Sequence, residues 1–187
     1  MRIIGGQFRG VKLAEIGKGD SAAHLRPTSD RVRESIFNLL QNGGYGDPLT
    51  GARVLDLFAG TGALGLEALS RGAELAVFVD NGRVAQGLIG RNMDLCHTIE
   101  KSTLIKRDAA KLGASDRGSF DLVFLDPPYG KGLGQKALAT ALDGGWITPD
   151  ALVVWEEATE MDAPKGLTKL DARRYGDTFV SVLTFSG

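Results

Sequence analysis

The strongest constraint on what this chain can fold into is a rhythm that begins at Arg53. Short apolar runs alternate with longer stretches whose apolar residues recur every three or four positions. Val54-Leu55-Asp56-Leu57-Phe58 reads as a strand and Gly62 to Ser70 as a helix; Leu75 to Val79 and Val84 to His97 repeat the pair. Thr103 to Ile105 is a third strand, followed by a short helical stretch from Ala109. Leu122 to Leu125 is a fourth, with a helix from Leu133 to Leu142, and Leu152 to Trp155 is a fifth. Apolar strands separated by helices predict a parallel sheet covered on both faces. The end of the chain differs. Leu167 to Tyr175 and Phe179 to Phe185 are separated by little more than Gly176-Asp177, and strands joined so tightly run antiparallel. The expectation is an open α/β sheet whose last strand or two reverse direction.

Upstream, Arg2 to Ile4 and Gly10 to Leu13 flank a glycine-containing loop and read as a small β-hairpin. Lys18 to Leu25 is loop-like. Thr28-Ser29-Asp30 offers a helix N-cap, and Val32, Ile36, Leu39 and Leu40 then recur at helical spacing up to Gly43-Gly44. At 187 residues and 43% hydrophobic, the chain can bury one sizeable core. The organisation expected is a hairpin extension over residues 1–25 and a main domain over 26–187.

Charge is informative only in its distribution. The formal net charge is -1, yet residues 1–33 carry seven Lys/Arg against three Asp/Glu, while residues 143–162 carry six acids and no base. Such asymmetry would orient the molecule toward a polyanion, although a solvated surface gives the same pattern. The single Cys96 excludes an internal disulfide, and no apolar run spans a bilayer or forms a signal-peptide core, so a cytoplasmic protein is expected. With one Cys and two His, His24 and His97, no metal-site spacing exists and no metal is expected. Trp146 and Trp155 read as packing residues, and Asn92 as a local capping or packing residue.

Ligands on an open α/β sheet lie beyond the carboxyl ends of the strands, near the switch in strand order. Phe58, Asp80, Asp108 and Asp126 fall at those ends. Gly60-Thr61-Gly62-Ala63-Leu64-Gly65 satisfies G-x-G-x-x-G after a strand and before a helix, and Asp80 ends the next strand, where a ribose-binding acid belongs. Glycines there let backbone approach a ligand closely. That suits a dinucleotide or S-adenosylmethionine, and the glycines alone do not choose. Asp56, a charge inside an apolar strand, needs a partner. It either accepts hydrogen bonds from the loop amides or meets the cationic end of the ligand through water. Asp108 is placed to meet an adenine amino group, or to cap the helical stretch at Ala109.

The fourth strand ends in Asp126-Pro127-Pro128-Tyr129. Two prolines hold φ near -65° and remove two N–H donors. The Asp126 carboxylate and the Pro127 carbonyl then form paired acceptors, which suit an NH₂ group with two hydrogens to place. Tyr129 supplies a flat face for a planar base, worth about 1–3 kcal/mol of stacking. Holding both hydrogens favours a tetrahedral nitrogen whose lone pair faces an electrophilic methyl, and Asp126 is placed to take the proton afterwards.

These residues carry a family resemblance. "DLFAGTGALGLEALSRGA", Asp56 to Ala73, resembles motif I of class I S-adenosylmethionine-dependent methyltransferases, and "LDPPY" resembles their amino-methylating motif. "MRIIGGQFRG" followed by "RPTSDRVRESIFNLL" resembles one narrower group, the RsmD family, which methylates N2 of a guanine in 16S ribosomal RNA. The resemblance covers roughly Met1 to Trp155. It implies a Rossmann-like class I methyltransferase fold, a seven-stranded sheet with the last strand antiparallel. It also implies S-adenosylmethionine as cofactor, with Asp56, Phe58, Gly60, Gly62, Asp80, Asp108 and Ala109 around it. Asp126, Pro127 and Tyr129 are then expected at the target guanine. The basic residues Arg2, Arg9 and Lys12 on a protruding hairpin, with Arg26, Arg31 and Arg33 near the following helix, are expected to grip RNA phosphates. Phe8 at the hairpin tip would stack on a base or pack on the body. Thr28 and Arg31 are alternatives for the methionine side of the cofactor. A monomer acting on the small ribosomal subunit is expected.

Three other readings share part of this pattern. A DNA adenine-N6 methyltransferase has the same loop and Asp-Pro-Pro-Tyr, but needs a target-recognition insertion that is not visible here. A nicotinamide-dependent dehydrogenase has no use for Asp126-Pro127-Pro128-Tyr129. An RNA-binding module on a methyltransferase fold would not need complete motifs.

Overall fold

The computed structural model describes residues 1–15 and 28–187. After helix α1 (Asp30–Asn42) come β1 (Arg53–Leu57), α2 (Ala63–Ser70), β2 (Leu75–Val79), α3 (Arg83–Leu95) and β3 (Ser102–Ile105). Then follow β4 (Phe120–Leu125), α4 (Leu133–Asp143), β5 (Ile147–Glu157), β6 (Leu167–Tyr175) and β7 (Thr178–Phe185). The predicted rhythm is therefore present, with small shifts at its boundaries. Helix α1 starts where the sequence offers a cap, because Ser29 Oγ accepts from the Val32 amide at 3.2 Å.

The seven strands form one sheet in the order β3-β2-β1-β4-β5-β7-β6. β1 pairs in parallel with β2 and β4, β2 with β3, and β4 with β5. β7 lies between β5 and β6 and is antiparallel to both, so it alone opposes the others. The chain leaves β1 toward β2 and β3, then crosses back to β4 on the other side. The carboxyl ends of β1 and β4 thus meet at the switch point, with Leu57 paired to Leu125.

Successive residues on each strand serve opposite faces. Val54, Phe78 and Phe124 join a core with Ile36, Leu66 and Ile89 from α1, α2 and α3. Leu55, Val79 and Leu125 join a second core with Ala137 and Leu138 of α4 and with Trp146 and Trp155. Both tryptophans are packing residues, as expected.

The N-terminal segment departs from expectation in its placement. The expected hairpin forms as a minimal antiparallel pairing: one bridge, Arg2 opposite Lys12, with the Ile3 amide donating to the Val11 carbonyl at 3.0 Å and the Leu13 amide to the Met1 carbonyl at 3.2 Å. It does not protrude. The amides of Ile4 and Gly5 each donate to the Glu67 carboxylate at 2.8 Å, and the Gln7 amide donates to the Ser70 carbonyl at 2.7 Å. Ile3 and Leu13 are buried in the core that holds α1 and α2. The physical reason is backbone satisfaction: the amides of Ile4, Gly5 and Gln7 need acceptors beyond those of the opposite arm, and α2 presents them along its side. The boundary expected at residues 25–26 lies outside the described residues.

Glu67 is the hub of this contact. It is fully buried and also meets Arg71 Nε at 2.9 Å and Arg33 Nε at 3.6 Å. Asn92 is a second hub, more than a local cap. Its Oδ1 accepts from the Ala14 amide at 2.6 Å while Nδ2 donates to the Thr61 carbonyl at 2.8 Å. Among the described residues, no helix is long and apolar enough to cross a membrane.

Candidate active site

The turn from β1 into α2 is built on left-handed backbone. Phe58, Gly60 and Gly62 have φ of 60°, 59° and 76°. For Phe58 that conformation costs about 1–2 kcal/mol, and such strain concentrates at functional sites. Gly65 serves a different end. A Cβ there would lie 2.5 Å from the Phe78 ring, so glycine lets α2 settle directly on β2.

Asp56 and Asp80 stitch this turn from below and from the side. Asp56 Oδ2 accepts from the Gly65 amide at 2.9 Å. At 1% exposure the carboxylate is a support for the turn, so of its two expected roles the amide-accepting one is observed. Burial pushes its carboxyl well above the usual range, opposed by the Gly65 bond and reinforced by the Asp126 and Asp80 charges. Asp80 is half-buried; Oδ2 accepts from the Gly60 amide at 2.9 Å and Oδ1 from the Gly82 amide at 2.8 Å. Asp108 Oδ1 accepts from the Ala110 amide at 2.9 Å, the capping role, and Ala109 is buried beside it.

One strand away, the corner after β4 is pinned on three sides. Tyr129 Oη lies 3.3 Å from Thr178 Oγ1, and the Gly130 amide donates to Glu157 Oε1 at 3.1 Å. Thr28 Oγ1 lies 3.1 Å from Asp126 Oδ2 and 3.1 Å from Glu156 Oε1. Pro127 is buried beneath the corner, while Asp126 and Tyr129 are half-exposed. Both line a cleft of about 660 Å³, together with Thr28, Arg31, Glu156 and the β6–β7 turn. Burial, then the Asp126 charge, push the Glu156 carboxyl well above the usual carboxylate range, while Thr28 and Arg33 act in the opposite direction.

The basic residues divide. Arg2, Arg9, Lys12 and Arg31 are exposed, and Arg31 borders the cleft. Arg33 is corrected: it is fully buried, bonds the Arg2 carbonyl and meets Asp30 Oδ1 at 2.9 Å, so it is closed to phosphate. The cause is its place on the inward face of α1, opposite the buried carboxylate of Glu67. Arg26 lies outside the described residues. Phe8 packs partly against the core.

Sequence reasoning missed Glu156, Glu157 and Thr178. Glu156 had a signal: like Asp56, Asp80 and Asp126 it is an acid at the end of an apolar strand. Thr178 had none, because only the reversal of β7 brings it to Tyr129.

The turn and its acids fit the nucleoside end of S-adenosylmethionine. Each Asp80 oxygen uses one backbone donor, and a carboxylate has about four lone-pair positions, so capacity remains for ribose hydroxyls. The sheet order, the glycine turn and the acid-proline-proline-tyrosine corner together define a class I methyltransferase. A family model described as "Conserved hypothetical protein 95" matches residues 1–184. "Ribosomal RNA small subunit methyltransferase D" of Escherichia coli (strain K12) is 36% identical over 164 residues, covering 88% of this chain and 78% of that protein. The protein of the same name from Haemophilus influenzae is 34% identical over 167 residues, 88% of this chain and 81% of that one. The solved structure of "Putative methyltransferase yhhF" from Escherichia coli superposes with a TM-score of 0.80 at 32% identity, over 100% of this chain and 98% of that one. The chain belongs to this family, the RsmD methyltransferases.

Proposed function

We propose that this chain transfers a methyl group from S-adenosylmethionine to the exocyclic N2 amine of a guanine in 16S ribosomal RNA. The observation that carries the reading is a cleft lined by Asp126 and Tyr129, at the carboxyl end of β4, the strand paired with the β1 that leads into the glycine turn. The relatives' printed names supply the RNA class.

The cofactor supplies an electrophilic methyl on a sulfonium; the rest is the work of the protein. Asp80 accepts from the ribose hydroxyls while its amide contacts keep the glycine turn in place. Asp126, with the Pro127 carbonyl, accepts the two amine hydrogens, so that the nitrogen lone pair faces the glycine turn. Tyr129, restrained through Thr178, stacks on the base. Asp126 receives the proton that the methylated nitrogen releases. Orientation supplies most of the rate, since positioning of the reacting groups is where such a site has leverage. The target guanine is unstacked on entry, which favours a loop nucleotide. Arg2, Arg9, Lys12 and Arg31 hold the surrounding phosphates, and Arg174 near the end of β6 adds a cation at the rim. The protein acts as a cytoplasmic monomer on the small subunit or its assembly intermediate.

The test is methyl transfer to naked 16S RNA, to 30S particles and to duplex DNA, with the product nucleoside identified. N2-methylguanine in RNA supports the reading. N6-methyladenine in DNA replaces it, and binding of NAD with no S-adenosylmethionine binding in calorimetry removes the methyltransferase chemistry altogether.

A further inference from the structure

Glu156 and Thr28 have no part in the chemistry above, yet they are built into its centre. Glu156 is 2% exposed, and its Oε1 shares the Thr28 hydroxyl with Asp126, each at 3.1 Å. A hydroxyl has one hydrogen. It can donate to only one of two carboxylates, and the other must then present a hydrogen of its own or face a lone pair. A buried carboxylate facing a lone pair, with a second carboxylate one hydroxyl away, is the expensive arrangement. The inexpensive one places a single proton on the pair.

We propose that Glu156, Thr28 and Asp126 form a directed one-proton chain. Glu156 donates to Thr28 Oγ1, Thr28 donates to Asp126 Oδ2, and the Asp126 carboxylate is thereby aimed at the incoming amine. The inference rests on the reading of Asp126 given above and names Glu156 and Thr28 as its positioning residues. The proton sits on Glu156 because that side chain is the more deeply buried of the two acids. The charged groups facing Glu156 agree. Asp126 beyond β4 and Asp56 on β1 disfavour its ionisation, and Arg33 on α1 favours it more weakly than burial opposes it. A neutral Glu156 also spares Asp126 a neighbouring negative charge.

The decisive comparison is Glu156→Gln against Glu156→Ala, with Thr28→Val and Thr28→Ser beside them. Glutamine keeps a donor at the same reach, so it should recover most of what alanine loses, and serine most of what valine loses. Alanine and valine should each lower kcat by about 10²-fold with KM for the cofactor little changed, because only the aim of Asp126 is lost. The pH profile separates this from plain packing. In the wild type, activity should decline on the alkaline side as Glu156 gives up its proton, and Glu156→Gln should lack that decline. Infrared difference spectra need no substrate. The wild type should show carbonyl stretches of buried carboxylic acids, and Glu156→Gln should lose the component due to Glu156 while that of Asp56 stays. A glutamine variant as inactive as alanine, an unchanged alkaline limb, or an unchanged carbonyl band each overturns the proposal. A wild type that methylates something other than guanine N2 sinks the functional reading alone, since the infrared band still reports on the pair.

Discussion

The two halves of the sheet's carboxyl edge solve the same problem in opposite ways. Around β1, β2 and β3, each acid is answered by backbone amides no more than 20 residues away: Asp56 by Gly65, Asp80 by Gly82 two residues on and by Gly60, Asp108 by Ala110. Around β4 and β5, Asp126 and Glu156 are answered by a side chain, Thr28, that lies 98 and 128 residues away in the chain. Tyr129 is likewise held by Thr178, 49 residues on. Backbone amides are present whatever the side chains are, so in the proposed function the first half serves as a general cofactor cradle. The second half depends on particular residues converging, which is how one fold takes different methyl acceptors.

Four substitutions put that contrast to the test. Asp126→Ala should lower turnover by about 10²–10⁴-fold while S-adenosylmethionine affinity, measured by calorimetry, stays near the wild-type value. A collapse of cofactor binding would merge the two halves and remove the assigned role. Arg33→Ala should cost about 3 kcal/mol in denaturant unfolding, because it empties a fully buried site on α1 and removes one of the two cations beside Glu67, which keeps Arg71. An intact midpoint accompanied by weakened RNA binding would reinstate Arg33 as an RNA contact. Asp80→Ala removes charge-assisted hydrogen bonds of about 1.5–3 kcal/mol, so cofactor Kd should rise by about 10–100-fold with little change in RNA affinity. Arg31→Glu should be the mildest. RNA affinity should fall and the plot of log K against log salt should flatten by about one unit, with cofactor binding unaffected. An unchanged slope would take Arg31 off the RNA surface.

A pH prediction bears on both halves at once. Asp56 and Glu156 are acids whose folded-state affinity for a proton is raised by burial. The folded state therefore holds protons that the unfolded chain has released, and stability falls as pH rises above the ordinary carboxylate range. Glu156→Gln should make that fall shallower, leaving the part due to Asp56. Urea midpoints across the pH range for the two proteins would show it, and parallel curves would contradict the assignment.

The sheet was legible in outline because strand and helix periods are local, and Gly176-Asp177 between two apolar runs permits only a reversal. The glycine turn was legible for the same reason: its donors and acceptors lie within one strand, one turn and the next strand end. Arg33 was misread because a helix start rich in arginine looks alike whether it faces solvent or a buried Glu67. The N-terminal hairpin was misread as protruding because nothing in "MRIIGGQFRG" announces that α2 will accept its backbone hydrogens.

By itself, then, the sequence determined the order of strands and helices, the reversal at β7 and the place of the acids at strand ends, all consequences of short-range sterics and periodicity. Only the tertiary structure decided which acids meet a side chain, which arginine is buried, and that Thr28 stands between Asp126 and Glu156. Those contacts join residues far apart in the chain, and their energy exists only once packing has excluded water from between them.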